Sequence, residues 1–299
     1  MRNKRKPAVK SERKQNKIFS IAMSGPVVVL LVVMSIFPLA FTLYYSLTNY
    51  NYLSGGNAKF IGFQNFINLF HNKYFLQSIW NTVKFTVVCV LLETLLGLAL
   101  AVFIHSIRRG KKALRTAVIL PYLIPPVTVA LIWQIMLSSN YGIINAALSA
   151  LHIPVFNWFY DIRTAFATIC FIEIWQCMPF VFLLLYAALQ SIPETLYEAA
   201  RLDGANTWEQ FLHITLPSIK NSLFLCVLMR TVDTFRLFDK INILTKGGPA
   251  NSTATITQFL YNNGIKNLQF GNGSAIAVVM VVLVLLLSSA YIKQSMAQK

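Results

Sequence analysis

Residues 191–220 read SIPETLYEAARLDGANTWEQFLHITLPSIK and sit between two long apolar runs, 164–190 and 222–244. Ser191 and Glu194 have the S-x-x-E spacing of a capping box, and Pro193 is tolerated in a first helical turn. Gly204 is a natural helix stop. Thr207 and Gln210 repeat the pattern as T-x-x-Q, and the second helix is expected to end before Pro217. The stretch therefore predicts a helix–turn–helix lying outside the apolar phase. Leu196, Tyr197, Leu202, Trp208, Phe211, Leu212 and Ile214 are too apolar for a solvated connector, so the hairpin is expected to present a docking surface to another protein. The small Ala199 and Ala200 let a partner's backbone come close.

Outward from this hairpin the chain is apolar. Of its 299 residues 56% are hydrophobic and 12% charged, with a mean hydropathy of +0.58. A soluble domain carries roughly 25% charged residues, and a chain this long still needs a polar surface if water is its solvent. A soluble enzyme is excluded, and lipid is the solvent that fits. A membrane helix needs about 20 predominantly apolar residues. Six runs qualify: 19–47, 82–104, 115–137, 164–190, 222–244 and 274–292. The first is too long for a signal-peptide core, and no A-x-A cleavage site follows it. The fold class expected is all-α and integral to the membrane. A basic tail (1–18) precedes the helical domain (19–292), and a short tail (293–299) follows it.

The net charge of +16 would suit nucleic acid in a soluble protein, but its placement speaks against that partner. Arg2, Lys4, Arg5, Lys6, Lys10, Arg13, Lys14 and Lys17 precede the first run, and Arg108, Arg109, Lys111, Lys112 and Arg115 follow the second. Segments 1–18, 105–114, 191–221 and 293–299, with Arg115, hold 17 Lys and Arg. Segments 48–81, 138–163 and 245–273 hold five. The positive-inside rule puts both termini in the cytoplasm of a multi-pass protein of the cell membrane. The outer segments, such as Phe60–Phe66, read as short interfacial pieces, with Trp80 and Trp158 at headgroup level. In the third run, Pro121, Pro125 and Pro126 remove backbone donors that neighbours must repair. A simple kink is expected there ahead of a pore-lining break.

Cys89, Cys170, Cys177 and Cys226 lie in apolar stretches without a CxxC pair, which indicates neither disulfide nor zinc. There is no phosphate-binding G-x-x-x-x-G-K-[ST], no H-E-x-x-H and no G-x-S-x-G. His71, His105, His152 and His213 are scattered. No catalytic residue, metal ligand or resident cofactor is assigned.

Glu198-Ala199-Ala200, three residues, Gly204, nine residues, then Ile214-x-Leu216-Pro217 resembles the EAA loop of ABC importer permeases. Trp175, Pro179, the run Ala188–Pro193 and the run Leu244–Pro249 extend the resemblance over residues 20–295. They match the carbohydrate-uptake branch, and within it the first permease subunit of maltose, oligosaccharide and glycerol-phosphate transporters. The extra N-terminal helices and the large outer domain of the maltose example are missing here, so the shorter six-helix form is expected. The resemblance implies a type I importer permease fold with six transmembrane helices. It also implies that Glu198, Ala199, Ala200, Asp203, Gly204, Ile214, Leu216 and Pro217 couple to a cytoplasmic ATPase. The partners it implies are a second homologous permease, two ATPase subunits holding ATP and Mg, an extracytoplasmic solute-binding protein and a carbohydrate.

The fifth run carries Arg230, Asp233, Arg236, Asp239 and Lys240. Each such residue costs roughly 2.5–3.5 kcal/mol at a bilayer centre, so protein or water must receive them. Two readings stay open. Arg230, Asp233, Arg236 and Asp239 recur every three residues and would make an ion-pair ladder along one helix face. Alternatively, intramembrane charges mark a solute path. On that reading Arg230, Asp233, Thr234 and Leu237 form one stripe, with Glu173, Gln176, Cys177 and Phe180 as its counterpart on the fourth run. Sugars need carboxylates, guanidinium and amides beside an aromatic face, and the resemblance points to the same stripes. Glu93 in the second run has no evident partner in sequence, so a buried hydrogen bond is expected for it. An ion-coupled secondary transporter is the alternative function. It would normally show internal repeats and would have no need of this hairpin.

Overall fold

The computed structural model describes residues 6–107 and 109–296, and its regular elements are helical apart from one isolated bridge between Thr48 and Phe60. Residues 1–5 of the basic tail, Arg108 of the second basic cluster, and residues 297–299 lie outside the described residues. The chain opens with α1 (Lys6–Ser46), so helix begins inside the basic segment rather than after residue 18. A 3-10 turn (Tyr52–Ser54) and α2 (Gln64–His71) lead into α3 (Lys73–Ser106). Asn72 starts α3 by accepting from Tyr74 N and Phe75 N. Next come α4 (Lys111–Ile119), a 3-10 turn (Leu120–Leu123), α5 (Pro126–Met136) and the short α6 (Ile143–Ala150). α7 (Ile162–Gln190) leads to α8 (Glu194–Leu202) and α9 (Thr207–Gln210). A π-helical turn (Phe211–Thr215) carries α9 into α10 (Leu216–Phe235). α11 (Asp239–Leu244), α12 (Ile256–Leu260), a second π turn (Tyr261–Lys266) and α13 (Phe270–Met296) complete the chain.

Among the described residues, five stretches are long and apolar enough to cross a membrane: Ile21–Ser46, Lys73–Ser106, Ile162–Gln190, Thr207–Leu244 and Phe270–Ser289. The run expected at 115–137 differs from the other five. α4 with its 3-10 turn meets α5 at 94°, which is a break and not the simple kink expected, and the pair makes a sixth crossing only when counted as one. The cause is local. Pro121, Pro125 and Pro126 cannot donate, and the ladder stops between Leu123 and Pro126. Val129 N donates to Pro125 O, and Gln176 Nε2 of α7 donates to the Ile124 carbonyl at 2.7 Å, which repairs the gap.

The fifth run is interrupted as well. α10 stops at Phe235, and three residues separate it from α11. The Leu237 carbonyl freed there accepts from the hydroxyls of Thr255 and Thr257. Broken helices buried in protein are how irregular backbone survives at membrane depth.

Helix association in lipid rests on close packing, and α3 against α7 is the spine of this bundle. Gly97 permits that contact, since a Cβ there would stand 2.7 Å from Val181 Cγ1. Phe182, Leu185 and Leu189 of α7 pack with Ala101 and Ile104 of α3 and with Ile219 and Cys226 of α10. Toward the other end, Phe85, Cys89, Ile169 and Ile172 meet Val129 and Ala130 of α5 and Ile241 of α11. Cys89, Cys170 and Cys226 are buried free thiols, and Cys177 is half-buried and free. By contrast, α1 packs mainly on α13, with its end at Ser46 held by Asn65 of α2, and its most apolar window has no buried residue.

Candidate functional site

Two features stand out, the hairpin at one end and a charged cavity at mid-bundle. In the hairpin, α8 closes in a Schellman turn. Ala205 N donates to Ala200 O at 2.9 Å and Gly204 N to Arg201 O at 3.2 Å, with Gly204 at φ +84°. The glycine stop lies where the sequence puts it, but the caps do not. Pro193, with no side-chain cap, precedes α8, while Ser191 Oγ donates back to Ala188 O at the end of α7. The box at α9 is Asn206 with Glu209, one residue ahead of Thr207 and Gln210. Asn206 Oδ1 accepts from Trp208 N and Glu209 N, and Glu209 Oε2 accepts from Asn206 N.

Pro217 ends nothing. It sits in the first turn of α10, after a π turn whose longer bonds (Leu216 N to Phe211 O) absorb the missing donor. The hairpin's second arm, α9, is thus one continuous helix with α10.

Tyr197 Oη and Thr215 Oγ1, 2.9 Å apart, tie its two arms together. Glu198, Ala199, Asp203, Gly204 and Pro217 are exposed, while Ala200, Ile214 and Leu216 are half-buried. Leu202 is 90% and Trp208 65% exposed, and Trp208 stacks on Phe211 at 5.4 Å. Apolar groups held open to solvent on a rigid turn are the mark of a contact surface.

The cavity, about 650 Å³, opens where both helix breaks meet α7. Of the two predicted stripes it gathers Glu173, Gln176, Cys177, Arg230, Asp233 and Leu237. Thr234 and Phe180 do not line it. Thr234 is buried behind Arg230, whose Nη2 donates to its Oγ1 at 3.2 Å. Phe180 backs the Tyr122 ring at 5.6 Å. Tyr122, Arg236, Phe238, Asp239 and Lys240, with the break residues 123–126, complete the wall and belong to neither stripe.

Beneath that wall lies an ion-pair network. Arg230 Nε donates to Glu93 Oε2 at 2.8 Å, and its Nη2 reaches Glu93 Oε1 at 3.2 Å and Glu173 Oε1 at 3.0 Å. Lys240 Nζ donates to the other oxygen of Glu173. Glu93, Glu173, Arg230 and Lys240 are all nearly sealed from solvent. The expected ladder is only partly present. Asp233 bridges Arg230 (3.8 Å) and Arg236 (3.1 Å), but the helix ends at Phe235, so Asp239 falls out of register and joins no ion pair among the described residues.

Glu93 therefore has a partner, Arg230, that sequence reasoning did not supply, and Lys240 has a role. The available signal was neutrality: two acids and two bases stranded in apolar runs need one another. Glu93, Glu173 and Cys177 offer atoms within 4.8 Å of one another. Arg230 and Lys240 already neutralise the carboxylates, so the donor set is that of an ion-pair cluster and does not suit a divalent cation.

Residues 93–299 match the family model described as binding-protein-dependent transport system inner membrane component. The trehalose/maltose transport system permease protein MalF of Thermococcus litoralis is 39% identical over 235 residues, covering 78% of this chain and 79% of that protein. The sulfoquinovosyl glycerol transport system permease protein SmoG of Agrobacterium fabrum is 33% identical over 278 residues, 93% and 90% of the two chains. A chain of a bacterial alginate ABC transporter, solved in complex with an alginate pentasaccharide-bound periplasmic protein, shares the fold. Its TM-score is 0.83 over 94% of each chain, at 24% identity.

Proposed function

The chain belongs to the family of binding-protein-dependent transport system inner membrane components, and from that premise we propose that it is the permease subunit of an ATP-driven ABC importer carrying a carbohydrate inward. Permease relatives named for trehalose/maltose and for sulfoquinovosyl glycerol support the substrate class. The partners are a second homologous permease that encloses the other half of the cavity, two ATPase subunits, and an extracytoplasmic solute-binding protein. ATP and Mg are held by the ATPases, and this chain contributes no catalytic group. Six crossings, with the broken α4–α5 pair counted as one, would leave both termini on one side of the membrane, taken here as the cytoplasm. The distribution of Lys and Arg favours that orientation.

One observation carries the mechanism: the hairpin's second arm, tied to the first by Tyr197 and Thr215, is helically continuous with α10, the helix that bears Arg230 and Asp233. The hairpin seats Glu198, Ala199, Ala200, Asp203 and Gly204 in a cleft of the ATPase, with Ile214, Leu216 and Pro217 at the root of the lever. When ATP draws the two ATPases together, the hairpins approach each other. Rigid α10 then passes the displacement to the cavity wall, and hydrolysis resets it. Such coupling requires two discrete arrangements of the bundle between which ATP shifts the balance.

Uptake into proteoliposomes containing the assembled transporter, with binding protein outside, tests this. Accumulation is expected only with ATP and Mg enclosed, and it should survive ionophores that collapse ion gradients. Accumulation that ignores ATP and vanishes with an ionophore would overturn the reading.

A further inference from the structure

We propose that the cavity selects an uncharged, hydroxyl-rich carbohydrate and turns away anionic ones, because its cationic side chains are each paired with a carboxylate while Gln176 Oε1 and Asp239 are hydrogen-bond acceptors left without a partner among the described residues. This deepens the importer reading and rests on it.

Three cationic residues belong to the cavity wall. Arg230 spends its guanidinium on Glu93 and Glu173, and Lys240 spends its ammonium on Glu173. Arg236, the exposed one of the three, is held by Asp233 at 3.1 Å. An anionic sugar (a phosphate, sulfonate or uronate) would have to strip a carboxylate from Arg230 or Lys240, or share Arg236 with Asp233. For the two buried cations that would strand a charged carboxylate out of water.

The groups left over have the opposite demand. Gln176 is 97% buried, its Nε2 is committed to the Ile124 carbonyl, and its Oε1 has no partner. Asp239 is exposed on the wall and pairs with no cation among the described residues. Both call for donors: a sugar hydroxyl can reach the exposed Asp239 directly, and Gln176 Oε1, itself out of solvent contact, adds a second acceptor beneath the wall. Tyr122 and Phe238 add ring faces for the C–H side of a pyranose. About 650 Å³ lies within the range of small-molecule sites.

The test is equilibrium dialysis of the purified complex of both permeases and ATPase, without binding protein, so that the membrane cavity alone is read. The probes are labelled maltose, trehalose and raffinose against sn-glycerol 3-phosphate and digalacturonate, at millimolar concentration. At least one neutral sugar is expected to be retained at least tenfold better than either anion. Asp233→Asn, which frees Arg236, is expected to raise anion retention severalfold, and Asp239→Asn to lower that of the neutral sugar.

Retention of an anion equal to that of every neutral sugar would overturn the proposal, since the partner permease would then be supplying free cations. Retention of none of the probes by an intact complex would overturn it too, as would an Asp233→Asn variant that leaves anion retention unchanged. A preparation that contains no ATPase signals failure of the importer reading itself, visible before any probe is added.

Discussion

Arg230 is the residue on which the membrane interior of this chain turns. Its guanidinium joins α3, α7 and α10 through Glu93, Glu173 and Thr234, and Lys240 brings in α11. Removing one member of a buried pair strands a charge and costs about 3–5 kcal/mol. Arg230→Met is therefore expected to lower the melting temperature of the purified complex sharply. Glu93→Gln added to Arg230→Met should return part of that loss, because it removes the stranded charge, whereas simple additivity would refute the pairing. Thermal unfolding followed by size-exclusion fluorescence reads both. The sequence made Glu173, Arg230 and Asp233 conspicuous as charges in apolar runs. It could not match Glu93 to Arg230, since a contact across 137 positions exists only once α3 and α10 are packed. Phe180 and Thr234 have the right helical spacing for the cavity. They lose it because side-chain depth, which spacing does not encode, sets them behind Tyr122 and Arg230.

Among the elements, the hairpin shows both what local sequence specifies and where it is ambiguous. Gly204 was legible because φ +84° is a conformation that glycine adopts without strain. Gly204→Val is expected to disrupt the Schellman turn and uncouple ATP hydrolysis from uptake while the complex still assembles. Uptake at the wild-type rate per ATP would contradict the lever role. The α9 cap was legible as a cap but not in register. Asn206–Glu209 and Thr207–Gln210 are overlapping boxes one residue apart, and the choice between them comes from backbone geometry. Asn206→Ala should cost about 1 kcal/mol of local stability and speed amide exchange at residues 206–210, whereas Thr207→Ala should leave exchange there unchanged. The two broken runs follow the same logic. Prolines announced a disturbance in the third run, but its size was settled by Gln176, which offers the freed Ile124 carbonyl a donor from another helix. No proline marks the break after Phe235. There the hydroxyls of Thr255 and Thr257, far along the chain, capture the Leu237 carbonyl.

At the level of the whole molecule, 12% charge cannot clothe a water-soluble surface, and apolar runs long enough to span lipid as helices made the all-helical membrane class readable. The assembly proposed rests on the hairpin and the family resemblance, since no single chain encodes the face its partner presents. The orientation proposed for the bundle has a direct consequence. In a chain stripped of its four native cysteines, Ser139→Cys should react with an impermeant maleimide from outside intact cells. His213→Cys should react only after permeabilisation, and the reverse pattern would invert the topology. A subunit whose first helix has no buried window and whose hairpin holds Leu202 and Trp208 in solvent is built to be covered by lipid and by other chains. The central claim, that this chain works as the permease of an ATP-driven importer, is tested most directly by native mass spectrometry of the tagged chain drawn from its host in mild detergent. The account predicts one copy of this chain with one different permease and two ATPase subunits. Recovery of this chain alone or as a homo-oligomer, under conditions that keep a known importer intact, would contradict it.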